Sequence, residues 1–333
     1  MRTELALPPE PTFRVLRAPC AVMVTVVMAC HNAARTLDAA ISSVLTQTLG
    51  ALELIVVDDG SSDNSASIVR EQARRDARVL LVTQSNAGPS HARNRGVAQA
   101  RGQLIAFIDA DDQWLPTHLQ DNVRALQADP KLGVSFSPCL IVDAGGVPTG
   151  ERTQPRVQVQ ELRDILAGNP TATCSALVAR RAVFASAGSF RVDMRHAEDQ
   201  EWLFRVIHAG WRVRGTAHHT VLYRSSPTGL SADTASMHGG WRQFIALARQ
   251  MRPTLPEVDL RRAEARMQLY FAQRALRTGQ PGERVRRHAA AALRAVRVPP
   301  LNVALKAIAL CLASLAPTHT HRVLASFWKA RHG

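Results

Sequence analysis

The chain has 333 residues, of which 46% are hydrophobic and 20% charged. This composition is close to the globular average and excludes a disordered, collagen-like or fibrous protein. The length fits one large α/β domain with an extension, or two domains. The net charge of +14 is unevenly spread: residues 242–333 hold 17 Lys and Arg against 4 Asp and Glu, whereas residues 1–241 hold 24 against 23. The basicity therefore belongs to the C-terminal segment, with a boundary expected near Asp233 to Trp241.

Five cysteines (Cys20, Cys30, Cys139, Cys174, Cys311) are scattered without a Cys-x-x-Cys pair. That pattern argues against a disulfide framework or a structural zinc site and for a reducing, cytoplasmic setting. Residues 1–20, with Glu4, Glu10 and prolines at 8, 9, 11 and 19, lack the grammar of a secretory signal and read as a loose leader. The apolar run Cys20–Cys30 falls short of the roughly 20 residues that span a bilayer and suits a buried parallel strand.

From there a short β-branched run, a polar or glycine turn and an amphipathic stretch recur in order. Val22–Ala29 is expected as a strand, followed by a helix marked by Leu37, Ile41, Val44 and Leu45. Leu52–Val57 is the second strand, and Asp63 can cap a helix through Ile68 and Val69. Val79–Thr83, a helix over Pro89–Ala100 and the strand Leu104–Ile108 complete the series. Such alternation predicts an α/β fold with a mostly parallel sheet flanked by helices.

Open sheets of this kind bind ligands at the carboxyl ends of their strands. Those ends read Cys30-His31-Asn32, Asp58-Asp59-Gly60-Ser61-Ser62, Asn86-Ala87-Gly88 and Asp109-Ala110-Asp111-Asp112. Like-charged carboxylates about 4 Å apart repel by about 4 kcal/mol at an effective dielectric of 20, so the last cluster calls for a cation. One reading is a divalent metal held by oxygen ligands that neutralises a diphosphate. The other is a set of solvated turn and capping residues, which Asp58 and Asp59 also permit.

Five segments in order resemble the motifs of family 2 glycosyltransferases with a GT-A fold: Thr25 to Asn32, Ser42 to Thr48, Glu53 to Ser62, Asn86 to Asn94 and Ala106 to Asp112. The resemblance covers about residues 22–230. It implies a Rossmann-like nucleotide-binding half at about 21–130 and an acceptor half at about 131–235, and leaves outside it the leader and the basic helical extension expected over 236–333. It also implies transfer of a sugar from a nucleotide diphosphate donor, a UDP-sugar first, to a carbohydrate or lipid-linked saccharide acceptor with inversion, as in bacterial surface polysaccharide or glycolipid synthesis.

Position by position, the resemblance implies that Asp59 binds the base or ribose of the donor, with the backbone around Ala29 and His31 lining the same pocket. Arg93 would reach the nucleotide or diphosphate. Asp109 and Asp111 form the Asp-x-Asp, with Asp111 the principal ligand of Mg²⁺ or Mn²⁺ and Asp109 and Asp112 in support. His196 to Arg205 is similar to the Glu-Asp motif, which makes Asp199 the catalytic base. A carboxylate is the residue type needed there, because the acceptor hydroxyl must lose its proton as it attacks. For Glu198 and Asp199 the alternative is the acidic first turn of a helix, favoured by the helix dipole.

Two positions depart from the family pattern. Ser226 stands where a histidine often follows the arginine of Tyr223-Arg224, and His31 stands where an aromatic residue is frequent. His218 and His219 read as surface or packing residues, and Cys174 as a packed thiol within a strand-like run, Thr171–Ala179.

Neither Gly-x-Gly-x-x-Gly nor Gly-x-x-x-x-Gly-Lys occurs, which removes dehydrogenases and P-loop enzymes. A sugar nucleotidyltransferase would need a glycine-rich loop where His31 to Arg35 stands. A binding protein that kept the fold and lost the chemistry is the remaining alternative. In the tail, Val258–Val296 is expected as a helical hairpin broken at Gly279 to Gly282, and Leu301–Ala316 as a helix too short to span a membrane. With Arg322, Phe327, Trp328, Lys329 and Arg331, residues 301–331 suit either docking on the catalytic domain or peripheral contact with an anionic inner-membrane surface. No recognition motif for nucleic acid accompanies the arginines.

Overall fold

The computed structural model describes residues 23–225, 233–277, 280–296 and 301–315. The leader, Ser226 and the tail residues Arg322 to Arg331 lie outside the described residues. The first part of the chain runs β1 (Val24–Cys30), α1 (Leu37–Leu45), β2 (Leu52–Asp59), α2 (Ser65–Arg75), β3 (Val79–Gln84), α3 (Pro89–Gln99) and β4 (Leu104–Asp109). Each is an element expected from the sequence, displaced by at most a few residues.

The chain continues through β5 (Gln113–Trp114), α4 (His118–Ala128), β6 (Leu132–Phe136), β7 (Cys139–Val142), β8 (Pro148–Arg152) and α5 (Leu162–Leu166). Then follow β9 (Leu177–Arg180), α6 (Arg181–Ala187), α7 (Glu198–His208), β10 (Arg212–Gly215) and β11 (Val221–Arg224). The remaining helices are α8 (Thr234–Met251), α9 (Glu257–Arg277), α10 (Gly282–Ala295) and α11 (Leu301–Ala313).

Seven strands form a central sheet in the order β10-β6-β9-β4-β1-β2-β3. The pairs β1–β2, β1–β4 and β2–β3 are parallel; β1, β2 and β4 are buried nearly throughout, as strands covered on both faces require, whereas the edge strand β3 is partly exposed. β9 is the exception, running antiparallel between β4 and β6. Much of the run Thr171–Ala179 is not strand: a 3₁₀ turn over Cys174–Ala176 precedes β9, whose inserted position is set by long-range pairing that no local pattern reveals. A second sheet, β5-β11-β7-β8, stands beside the carboxyl end of β4.

Close packing fixes the first half. A Cβ on Gly96 of α3 would lie 2.3 Å from Val27 Cγ1, so only glycine lets this helix rest on β1. Gly60 turns the chain after β2 at φ +71°, where a Cβ would also lie 2.8 Å from the Asn86 nitrogen.

The main core extends beyond the expected boundary near 235 and takes in Trp241, Phe244, Ala248, Leu260 and Ala263 of α8 and α9. The far half of α9 instead joins α10 and α11 in a smaller cluster that includes Leu269, Leu276, Val285, Ala289 and Leu310. The expected hairpin is thus present as α9 and α10, and its first helix also belongs to the main body. No helix among the described residues is long and apolar enough to cross a membrane.

Candidate active site

The carboxyl ends of β1, β2 and β4, the 167–174 loop, the start of α7 and one face of α8 and α9 enclose a cleft of about 1600 Å³. Ala29, His31, Asp59, Arg93, Asp109, Asp111 and Asp199 all line it. Asp112 lies just beneath, 1% exposed.

At one end the loops after β1 and β2 are bound together. Asn32 Oδ1 accepts from the Ser62 and Asp63 amides at 2.8 and 3.3 Å, and the Asn32 amide donates to Ser61 Oγ at 2.9 Å. The His31 ring stands exposed above them, its Nδ1 2.9 Å from the Asp59 carbonyl oxygen. Asp59 is buried, and its carboxylate accepts from Gln84 Nε2 and from the Ala87 and Gly88 amides, each at 2.8 Å. The β2 aspartate therefore fixes the loop that begins α3 and forms the wall of this end of the cleft.

At the middle, Arg93 of α3 is buried between two carboxylates. Its guanidinium donates to Asp109 Oδ1 at 2.7 Å and to Glu198 Oε1 at 3.0 Å. Burial and the adjacent Asp199 nevertheless push Glu198 up to about 7. Asp112 accepts from Ser175 Oγ at 2.5 Å, from Thr173 Oγ1 at 3.3 Å and from the Arg224 amide at 2.8 Å. Arg224 Nε in turn donates to the Asp111 carbonyl oxygen at 2.8 Å, so β11 is latched onto the Asp-x-Asp turn.

Asp109 and Asp112 are thus committed to protein donors, whereas the Asp111 carboxylate has no donor from another described residue. Burial and the neighbouring Asp109 push Asp111 up to about 6. Among the described residues no three His, Cys, Asp or Glu side chains converge as a ready-made metal cage. The donor set fits a hard cation that takes one or two carboxylate oxygens and completes its shell with phosphate oxygens and water, the usual habit of Mg²⁺.

Beyond Arg93, Asp199 lies in the first turn of α7. Its Oδ2 accepts from Asn169 Nδ2 at 2.6 Å and its Oδ1 from the Gln200 amide at 2.7 Å. Burial raises its pKa above the ordinary carboxylate value, with these donors opposing the rise. Asn169 is itself fixed, because its Oδ1 accepts from the Thr171 amide and hydroxyl at 3.0 and 2.8 Å.

Asn32, Ala172 and Ala197 are the non-glycine residues with positive φ among the described residues, at 50°, 64° and 62°. All three line the cleft. Such conformations cost of order 1–3 kcal/mol and collect at functional sites, and here Ala197 sets the angle at which Glu198 and Asp199 enter α7.

The sequence reading missed Asn169, Thr173 and Ser175. Gly168-Asn169-Pro170 is a turn signal, but nothing in it indicates an aspartate at the head of a distant helix. His218 and His219 do not line the cleft: His218 lies 3.3 Å from Asp121 and His219 2.9 Å from the Thr153 carbonyl oxygen. Cys174 is buried, and burial raises its thiol pKa, in keeping with a packed thiol.

Residues 25–186 match the family model for glycosyl transferase family 2. The chain carries a family 2 glycosyltransferase domain. Relatives include an uncharacterized glycosyltransferase of Nostoc sp., 40% identical over 112 residues that make up 33% of this chain and 35% of that one. Another is the Escherichia coli UDP-Glc:alpha-D-GlcNAc-diphosphoundecaprenol beta-1,3-glucosyltransferase WfgD, 43% identical over 31% of this chain and 41% of that one. The matches to the first three curated relatives span only 26% to 35% of those proteins.

The fold of this family 2 domain and its helices is shared more widely. The Pyrobaculum calidifontis mannosyltransferase PcManGT, solved with GDP-Man and Mn²⁺, aligns over 99% of this chain and 89% of its own, with a TM-score of 0.59 and 21% identity. Residues 1–349 of S. aureus TarS align over 93% and 92%, with a TM-score of 0.56 and 19% identity.

Proposed function

We propose that the protein is an inverting glycosyltransferase that moves a sugar from a nucleotide diphosphate sugar, a UDP-sugar first, to an acceptor hydroxyl in a single displacement. The observation that carries this reading is the arrangement of Asp111 and Asp199 in one cleft, on either side of the Asp109–Arg93–Glu198 bridge. Family membership supports it. So do the fold neighbours solved with GDP-Man and Mn²⁺ or with UDP-GlcNAc.

In this reading Ala29, His31 and Asp59 form the base and ribose end, and Arg93 faces the diphosphate while holding Asp109 in place. Asp111, seconded by Asp109, would hold Mg²⁺ or Mn²⁺, which when bound supplies positive charge beside the leaving diphosphate. Asp112 supports them by fixing the turn and β11. Asp199 accepts the acceptor proton as the hydroxyl oxygen bonds to the anomeric carbon. The bond from that carbon to the phosphate oxygen breaks on the opposite side, its electron pair leaves with the nucleoside diphosphate, and the anomeric configuration inverts.

The acceptor is a carbohydrate or lipid-linked saccharide, and the setting is bacterial surface polysaccharide or glycolipid synthesis at the cytoplasmic face of the membrane. The E. coli relative named for a diphosphoundecaprenol acceptor supports this setting. Peripheral membrane contact is supported by α11 and the turn after it, which expose Leu305, Ile308, Leu312 and Leu315 along one side.

A thermal-shift screen with UDP, GDP, dTDP and CDP, each with Mn²⁺ and again with chelator, tests the reading. A ligand at about a hundred times its dissociation constant stabilises by about 2.7 kcal/mol. A chelator-sensitive shift with one nucleotide is expected, and no shift with any of them overturns the proposal.

A further inference from the structure

The cleft does not end at Asp199. It continues along α8 and α9, which the sequence reading assigned to a separate basic extension. Arg266, Tyr270 and Arg274 lie at four-residue intervals on α9 and all line it, a stripe about 12 Å long at 1.5 Å per residue. The Tyr270 hydroxyl accepts from Arg274 Nη1 at 3.3 Å, which links two members of the stripe.

Among the described residues, α8 and α9 contribute no carboxylate to this wall. Its other members are apolar, with Met237 of α8 and Phe271 of α9 beside the arginines. The catalytic end of the same cleft carries Asp109, Asp111, Glu198 and Asp199. The α8–α9 wall is therefore cationic with apolar sides, whereas the catalytic end of the same cavity gathers these four carboxylates. Two arginines beside an apolar wall match a ligand with a phosphate ester next to a hydrocarbon chain: the guanidinium forks take the phosphate oxygens, and the apolar residues take the chain.

We propose that Arg266 and Arg274, with Tyr270, form an acceptor subsite for a phosphate- or diphosphate-bearing amphiphile, so that α9 selects the acceptor of the adjacent transfer site. This inference rests on the glycosyltransferase reading for its role in transfer, and its binding component is measurable independently. Positioned here, the anionic group of the acceptor would be held away from the donor diphosphate, while its sugar hydroxyl would extend toward Asp199.

The test is isothermal titration of the full chain with farnesyl diphosphate as the probe, after saturation with the nucleoside diphosphate and Mn²⁺ that give a thermal shift. The variants are Arg266→Gln, Arg274→Gln and, as a control, Arg262→Gln, an exposed α9 residue outside the cleft wall. Saturable binding to the nucleotide-loaded protein is expected, weakened about tenfold by Arg266→Gln and by Arg274→Gln and unchanged by Arg262→Gln. Pyrophosphate in place of the probe should bind more weakly and with the same arginine dependence. Absence of binding, or equal binding by all variants, overturns the subsite.

Arg266 is exposed, so its variant keeps the test valid if Arg274→Gln is poorly folded. If no nucleotide binds, the titration is run on the unloaded protein. Arginine-dependent probe binding would then support the subsite while the donor reading fails.

Discussion

Asp109 and Glu198 are held by the two terminal nitrogens of one guanidinium, that of Arg93, at 2.7 and 3.0 Å. Asp109 ends β4 and Glu198 begins α7, so this bridge joins the carboxylates at the end of the parallel strands to those at the head of α7. Removing one member of a buried ion pair costs about 3–5 kcal/mol, because a charge is left uncompensated. Arg93→Met should therefore destabilise by about 3 kcal/mol, read from urea unfolding. Adding Glu198→Gln should recover part of the loss, and strictly additive effects in the double-mutant cycle would contradict the bridge.

If Asp111 is the carboxylate that takes the cation, Asp111→Asn should abolish Mn²⁺-dependent nucleotide binding. Asp112→Asn should act differently, since Asp112 holds Ser175 and the Arg224 amide. It should lower the melting temperature even without nucleotide. Titrations with Mn²⁺ and chelator, paired with melting curves, separate the two, and unchanged binding by Asp111→Asn would remove its assignment.

Asp199→Asn should preserve nucleotide affinity and lower kcat by about a hundredfold to ten-thousandfold, the usual range for a general base. Asn169 donates to the ionised form of Asp199 at 2.6 Å, so it lowers the pKa of that group. Asn169→Ala removes this support. The acid limb of the kcat profile, which belongs to the Glu198–Asp199 pair jointly, should move to higher pH. A limb in its original place would assign Asn169 a structural role alone.

Much of this was legible in the sequence because the information is local. Period and turn residues placed β1 to β4, and the residues after those strands had to meet at one sheet edge. The partners of the carboxylates were not legible. Ser175 meets Asp112, Asn169 meets Asp199 and Arg224 meets Asp111 across long stretches of chain, through strand β9 and the second sheet, whose pairing no periodicity encodes. The tail shows the same limit. Its helices followed from the spacing of Ala265, Leu269, Ala272 and Leu276, but charge counting set apart a segment whose first helices complete the cleft.

His118 supplies a pH dependence independent of catalysis. It is fully buried, stacked on Trp114 at 4.3 Å, with Nδ1 2.9 Å from Thr220 Oγ1 and Nε2 without a partner among the described residues. Burial lowers its pKa to about 3 from an ordinary 6.5. Between these values the unfolded chain binds a proton that the folded chain refuses. Stability therefore falls with acid, by about 1.4 kcal/mol per pH unit below 6.5 from this group, and is independent of it above. His118→Phe keeps the stacking and abandons the Thr220 hydrogen bond, which should cost about 1 kcal/mol at pH 8. Below pH 6 the variant should lose stability less steeply than the parent, so urea midpoints measured from pH 8 to 5 should converge or cross. Parallel curves would show that His118 is protonated, or accessible to protons, in the folded protein.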